Sequence, residues 1–73
     1  MRHLDSFADI SNDVIAAVID KWVKGERNRE IMKRRLIDHI TYERIADEFD
    51  MSPRYIKTLI YKLEMIVYKH LGV

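Results

Sequence analysis

The chain contains no cysteine, which excludes disulfide stapling and thiolate metal ligation. Two glycines and one proline in 73 residues leave few places to turn, and point to long uninterrupted elements. Long hydrophobic runs are missing as well. The longest, Val14 to Ile19, falls far short of the roughly 20 residues that cross a bilayer, so no membrane partner is expected. Nor is there a large excess of charge. Thirteen Lys and Arg stand against twelve Asp and Glu, and the resulting +1 predicts no general attraction to polyanions. A chain this short builds one small core. Without disulfides, the remedies for a marginal core are well-packed helices or self-association.

What is present is pattern. With 48% hydrophobic and 34% charged residues, the composition is that of a globular chain and not a disordered one. The charge is also segregated. Residues 1–26 carry three basic and five acidic side chains, whereas 27–73 carry ten basic and seven acidic. From Pro53 onward Arg54, Lys57, Lys62 and Lys69 are offset by Glu64 alone, so positive charge collects towards the C-terminus.

Residues 1–11 lack the basic start, apolar run and small-residue cleavage site of a secretory signal, and read as a flexible lead-in to a single domain over 12–73. The expected location is the cytoplasm. Asn12 is expected to cap a first helix, with Asp13 in its first turn. Behind it run two adjacent i, i+4 lines, Val14, Val18, Trp22 and Ile15, Ile19, Val23, continuing to Lys24. On this line Trp22 reads as an anchor of the core or of a dimer. Gly25 is expected to end that helix. Asn28 is expected to cap a second, with Met32, Leu36 and Ile40 aligned, running to about Asp38. Thr41 caps a third helix of barely two turns, with Ile45, Ala46 and Phe49 inward. Ser52 caps a fourth, with Pro53 at the first helical position, where a missing N–H costs nothing. Its apolar line is Ile56, Leu59, Ile60, Leu63, then Ile66 or Val67, then His70 or Leu71, closed by Gly72. The predicted fold is all-α, a small bundle of about four helices with a helix-turn-helix over 41–70.

Two helices joined by about three residues, the second of them basic, form the arrangement with which a helix-turn-helix reads duplex DNA. Ala46 is small where the two helices must approach most closely. Counting round the fourth helix leaves Arg54, Lys57, Thr58, Tyr61 and Lys62 facing outward, towards a major groove. Arg54 and Lys57 suit the O6 and N7 acceptors of guanine, and Lys62 suits a phosphate. Lys33, Arg34 and Arg35 are successive residues about 100° apart, so at most one or two of them reach DNA. Tyr55, Met65, Tyr68 and Val73 lie off the main apolar line, and either pack against the first helix or form a subunit interface.

Across about Arg27 to Leu71 the chain resembles the region 4 helix-turn-helix of bacterial sigma factors, the type that reads the upstream promoter element. The resemblance is carried by Arg29-Glu30-Ile31, by Thr41-Tyr42-Glu43-Arg44-Ile45-Ala46-Asp47-Glu48-Phe49, by Met51-Ser52-Pro53-Arg54-Tyr55-Ile56-Lys57 and by Lys69-His70-Leu71. It implies DNA contact by Ser52, Arg54, Lys57, Thr58 and Tyr61, and phosphate contact by Thr41, Tyr42 and Arg35. The chain departs from the family at three places. His39 and Asp50 stand where the family usually has glycine in a left-handed conformation, which His and Asp tolerate better than most residues. Arg34 stands where the family is often apolar. Seventy-three residues leave no room for the sigma regions that bind core polymerase and melt the promoter. The resemblance therefore implies a stand-alone, nucleoid-associated transcription regulator, of the kind found in phage and mobile elements.

A single small module makes few phosphate contacts, so a homodimer or help from RNA polymerase is expected. The rival reading is a protein-interaction module that binds RNA polymerase or a sigma partner without reading DNA, motivated by the near-neutral charge and the extra hydrophobics of the last helix. Catalysis is not expected. Ser6, Ser11 and Ser52 have no evident histidine partner, and there is no glycine-rich phosphate loop. His3, His39 and His70 are too scattered to make a metal set, so no cofactor is expected either.

Overall fold

Isoleucine fills the interior of this protein. Ile15 and Ile19, Ile31, Ile45, and Ile56 and Ile60 come from four different helices, and each is at most 2% exposed. The computed structural model describes residues 10–72; residues 1–9 and 73 lie outside it. With them lie most of the expected lead-in, His3, Ser6 and Val73. The four helices are α1 (Asn12–Trp22), α2 (Glu26–Leu36), α3 (Tyr42–Glu48) and α4 (Pro53–Leu71). There is no strand among the described residues, and the all-α bundle of four helices is as expected.

Spacing explains the core. On α1 the buried line is Ile15 and Ile19, continued by Val23 just past the helix end; on α4 it is Ile56, Ile60, Leu63 and Val67. Met32 and Leu36 of α2 are buried as expected, together with Ile31, which the sequence reading did not place inside. Each isoleucine withdrawn from water contributes about 1.5 to 3 kcal/mol. α4 is the organising element. Its 19 residues rise roughly 28 Å, nearly the molecule's longest extent of 31 Å, and it packs most extensively on α1 and α3.

Several boundaries differ from expectation, each for a local reason. Ser11, not Asn12, caps α1: its Oγ accepts the Val14 N–H at 3.3 Å. Ile10 packs against the core, so both residues fall inside the stretch read as lead-in. α1 stops at Trp22 and not at Lys24, because Val23 is extended and its carbonyl accepts Arg29 Nε at 2.9 Å. The reversal is completed by Gly25, whose φ of 91° is one that L side chains rarely adopt. Gly25, not Asn28, is the N-cap of α2. Its carbonyl accepts the Arg29 N–H at 3.0 Å, while the Asn28 side-chain amide donates back to the Lys24 carbonyl at 3.3 Å. α2 ends at Leu36 and not at Asp38, because His39 turns left-handed at φ 58°. The Ile40 N–H then bonds to the Arg34 carbonyl at 3.1 Å.

Trp22 is not a core anchor. It is 42% exposed, and Val14 beside it is 48% exposed. The indole instead lies flat on the His70 ring, with centroids 3.7 Å apart and planes 1° from parallel. The last turn of α1 thereby meets the last turn of α4.

Candidate nucleic-acid interface

The turn between α3 and α4 is tight, and its hydrogen bonds show how it is made. Phe49 ends α3, Asp50 adopts φ 57°, and the Met51 N–H reaches back to the Ala46 carbonyl at 2.8 Å while the Asp50 N–H reaches Asp47 at 3.4 Å. These are the two bonds of a helix-ending left-handed turn, here built on aspartate instead of glycine. His39 makes the corresponding left-handed turn after α2. Ala46 is 2% exposed, as expected of the small residue at this joint. Thr41 Oγ1 accepts the Arg44 N–H at 3.2 Å and Ser52 Oγ the Tyr55 N–H at 3.1 Å. Both hydroxyls therefore cap helices, with Pro53 in the first turn of α4.

From that start α4 presents Arg54, Lys57, Thr58, Tyr61 and Lys62 exposed, as the count from Ser52 predicts. The structure divides them into two groups. At about 100° per residue, Arg54, Thr58, Lys62, Met65 and Lys69 share an arc of about 80°, and all five are exposed. Met65, at 73%, is the most open of the large hydrophobics. Lys57 and Tyr61 lie on the flank, braced against the α2–α3 turn. The Lys57 Nζ stands 6.0 Å from the rings of both Tyr42 and Tyr61, and those two rings meet edge to face at 6.2 Å.

Arg35 fastens this flank. Its guanidinium lies 4.1 Å from the Tyr42 ring centroid, and its Nη1 donates to the Ile40 carbonyl at 2.9 Å. The residue thus holds the turn leading into α3, which sequence reasoning had assigned only to phosphate contact. Burial pushes the Tyr42 hydroxyl above its ordinary range. Burial, reinforced by the neighbouring Glu64 carboxylate, pushes Tyr68 up to about 12. Both phenols are therefore neutral hydrogen-bond donors at physiological pH. The sequence reading places Met65 and Tyr68 in packing on the first helix or in a subunit interface, not on a DNA-binding face, and Glu64 only as an offsetting charge. The signal that finds them is the helical count from Lys57 and Tyr61 in one direction and from Arg54 in the other.

The other basic cluster behaves differently. Lys33 Nζ pairs with Asp20 of α1 at 2.8 Å. Arg34 grips Glu48 of α3 with two parallel bonds, Nε to Oε1 at 3.0 Å and Nη2 to Oε2, and also reaches Asp38 at 3.3 Å. The Glu48 carboxyl is held below its ordinary range by the Arg34 guanidinium. Among the described residues, no ion pair engages Arg54, Lys57, Lys62 or Lys69. No helix of the described chain is long and apolar enough to cross a membrane.

Comparison of the chain with family models, curated proteins and solved structures gave no match. The fold class, a small all-α bundle, thus stands on the geometry alone.

Proposed function

We propose that this protein binds double-stranded DNA sequence-specifically by laying α4 in the major groove, and that it acts as a small transcription regulator similar to sigma region 4. One observation carries the reading. Among the described residues, Arg54, Lys62 and Lys69 of α4 are exposed on one face with no ion-pair partner, on the second helix of a pair joined by a tight turn. A helix with its side chains is about as wide as the major groove, some 12 Å. In this reading Arg54, Thr58 and Lys62 meet base edges and nearby phosphates. Lys57 and Tyr61 serve the phosphate backbone at the flank, beside Tyr42, Thr41 and Arg35, and Ser52 lies at the entry of the helix.

A second reading is favoured by Met65, whose exposed thioether on this same face suits a protein partner better than a phosphate. In that reading the face docks on RNA polymerase or a sigma partner.

Titration against a randomised duplex pool at low and physiological salt, with sequencing of the retained DNA, separates the two. An enriched motif is the expected result. Retention without enrichment, or none, would overturn sequence-specific recognition and leave the protein-docking reading.

A further inference from the structure

Among the described residues, α1 also leaves a face that no other helix covers. Asp13, Val14, Ala17, Val18, Lys21 and Trp22 line a shallow groove of about 410 Å³ along the flank of α1. Val14 and Trp22 keep nearly half their surface open to water there. None of these residues belongs to the basic face of α4. We infer that this groove is where a second copy of the chain docks, α1 against α1 in antiparallel order about a two-fold axis near Ala17.

The argument is one of charge and size. Asp13 and Lys21 lie four residues on either side of Ala17, about 6 Å along the helix axis in each direction. Antiparallel pairing about Ala17 sets Asp13 of each copy beside the second copy's Lys21, making two identical ion pairs from one patch, as a two-fold interface requires. Parallel pairing would set like charges together. Asp20, the neighbouring carboxylate, is already engaged by Lys33 and does not compete. Ala17 puts the smallest helix-forming side chain at the centre, where it lets the helix axes come within the usual 8 to 10 Å. Val14, Val18 and the open edge of Trp22 supply the apolar contact on either side. A core this small gains from such association. One three-turn helix per copy places the interface in the small, weak class, so the dimer forms in the micromolar range of protein concentration.

Sedimentation equilibrium of the full chain without DNA tests this separately from the reading face. The wild-type mass is expected to rise from 8.8 kDa towards twice that value through the micromolar range. Asp13→Lys alone and Lys21→Glu alone should each weaken association about tenfold or more, because each homodimer then carries two like-charge contacts. Mixed together, the two variants should pair again, since the heterodimer matches both contacts. Ala17→Glu, a good helix former at an exposed position, should be monomeric with unchanged helical circular dichroism. A wild-type monomer up to about 1 mM would overturn the proposal. So would charge variants that associate like wild type, or a mixture that fails to re-pair.

Discussion

The two basic clusters of this chain invert the impression their sequences make. Lys33-Arg34-Arg35 is the denser run, yet every member is engaged: with Asp20, with Glu48 and Asp38, or with the Ile40 carbonyl and the Tyr42 ring. Arg54, Lys57 and Lys62 are spread over nine residues, and no ion pair holds them among the described residues. The difference teaches that cation density does not define a binding surface. What matters is whether the fold supplies partners. α2 is reached by carboxylates of the neighbouring helices and by carbonyls of the turns that flank it, whereas the outer arc of α4 is exposed among the described residues. Lys57 marks the border between the two regimes, exposed but standing over two tyrosine rings.

This contrast can be broken at four points. Replacing Arg54, Lys57 and Lys62 together by alanine should have the largest effect. Affinity for a selected duplex should fall by about 100-fold or more, since a good base contact is worth about 1 to 3 kcal/mol. The slope of log affinity against log salt should flatten by up to about 3, while the unfolding temperature stays close to wild type. An equal loss of thermal stability would erase the distinction between the clusters. Ala46→Leu attacks the joint instead. Overpacking of this kind costs about 1 to 3 kcal/mol, so unfolding temperature and affinity should fall together in melting and binding curves.

Arg35→Ala should lower stability by about 1 to 2 kcal/mol by removing the Ile40 bond and the Tyr42 stack. Arg35→Lys should recover only part of this, because an ammonium lacks the planar fork. The salt slope of binding should not change if Arg35 serves the fold alone. Glu48→Gln gives the smallest effect, visible only against pH. The Glu48 carboxyl is lowered in the folded protein from an ordinary value of 4.5. Its contribution is therefore present above about pH 4.5 and is lost as acid carries the pH down through the lower folded value. Denaturant titrations should show wild type losing stability in that window and Glu48→Gln losing less of it.

The helices were legible because their buried residues recur every three or four positions and because Thr41, Ser52, Pro53 and Gly72 carry their cap chemistry in their side chains or backbone freedom. The left-handed turns at His39 and Asp50 were legible only through the family resemblance, which marks both places as glycine positions. The capping by Ser11 was missed because Ser11 and Asn12 are both good caps, and composition cannot choose between them. Trp22 was misplaced because Val14, Val18 and Trp22 share the spacing of Ile15, Ile19 and Val23. Only packing against α4 decides which of two adjacent stripes turns inward. The outward residues of α4 followed from counting. The roles of Arg34 and Arg35 did not, because Glu48 and Tyr42 come close to them only once α3 has folded back across α2.

Trp22 is the chain's single tryptophan, and its stack on His70 has an optical consequence. The indole is a built-in fluorophore placed where two helix ends meet, with the Lys21 ammonium 5.5 Å from its ring. Separation of α1 from α4 would release the ring from the imidazole and change its brightness, whereas covering its open edge would shift its emission to the blue. Excitation at one wavelength, without any dye, thus follows the opening of the bundle and the filling of the α1 groove as two distinguishable signals.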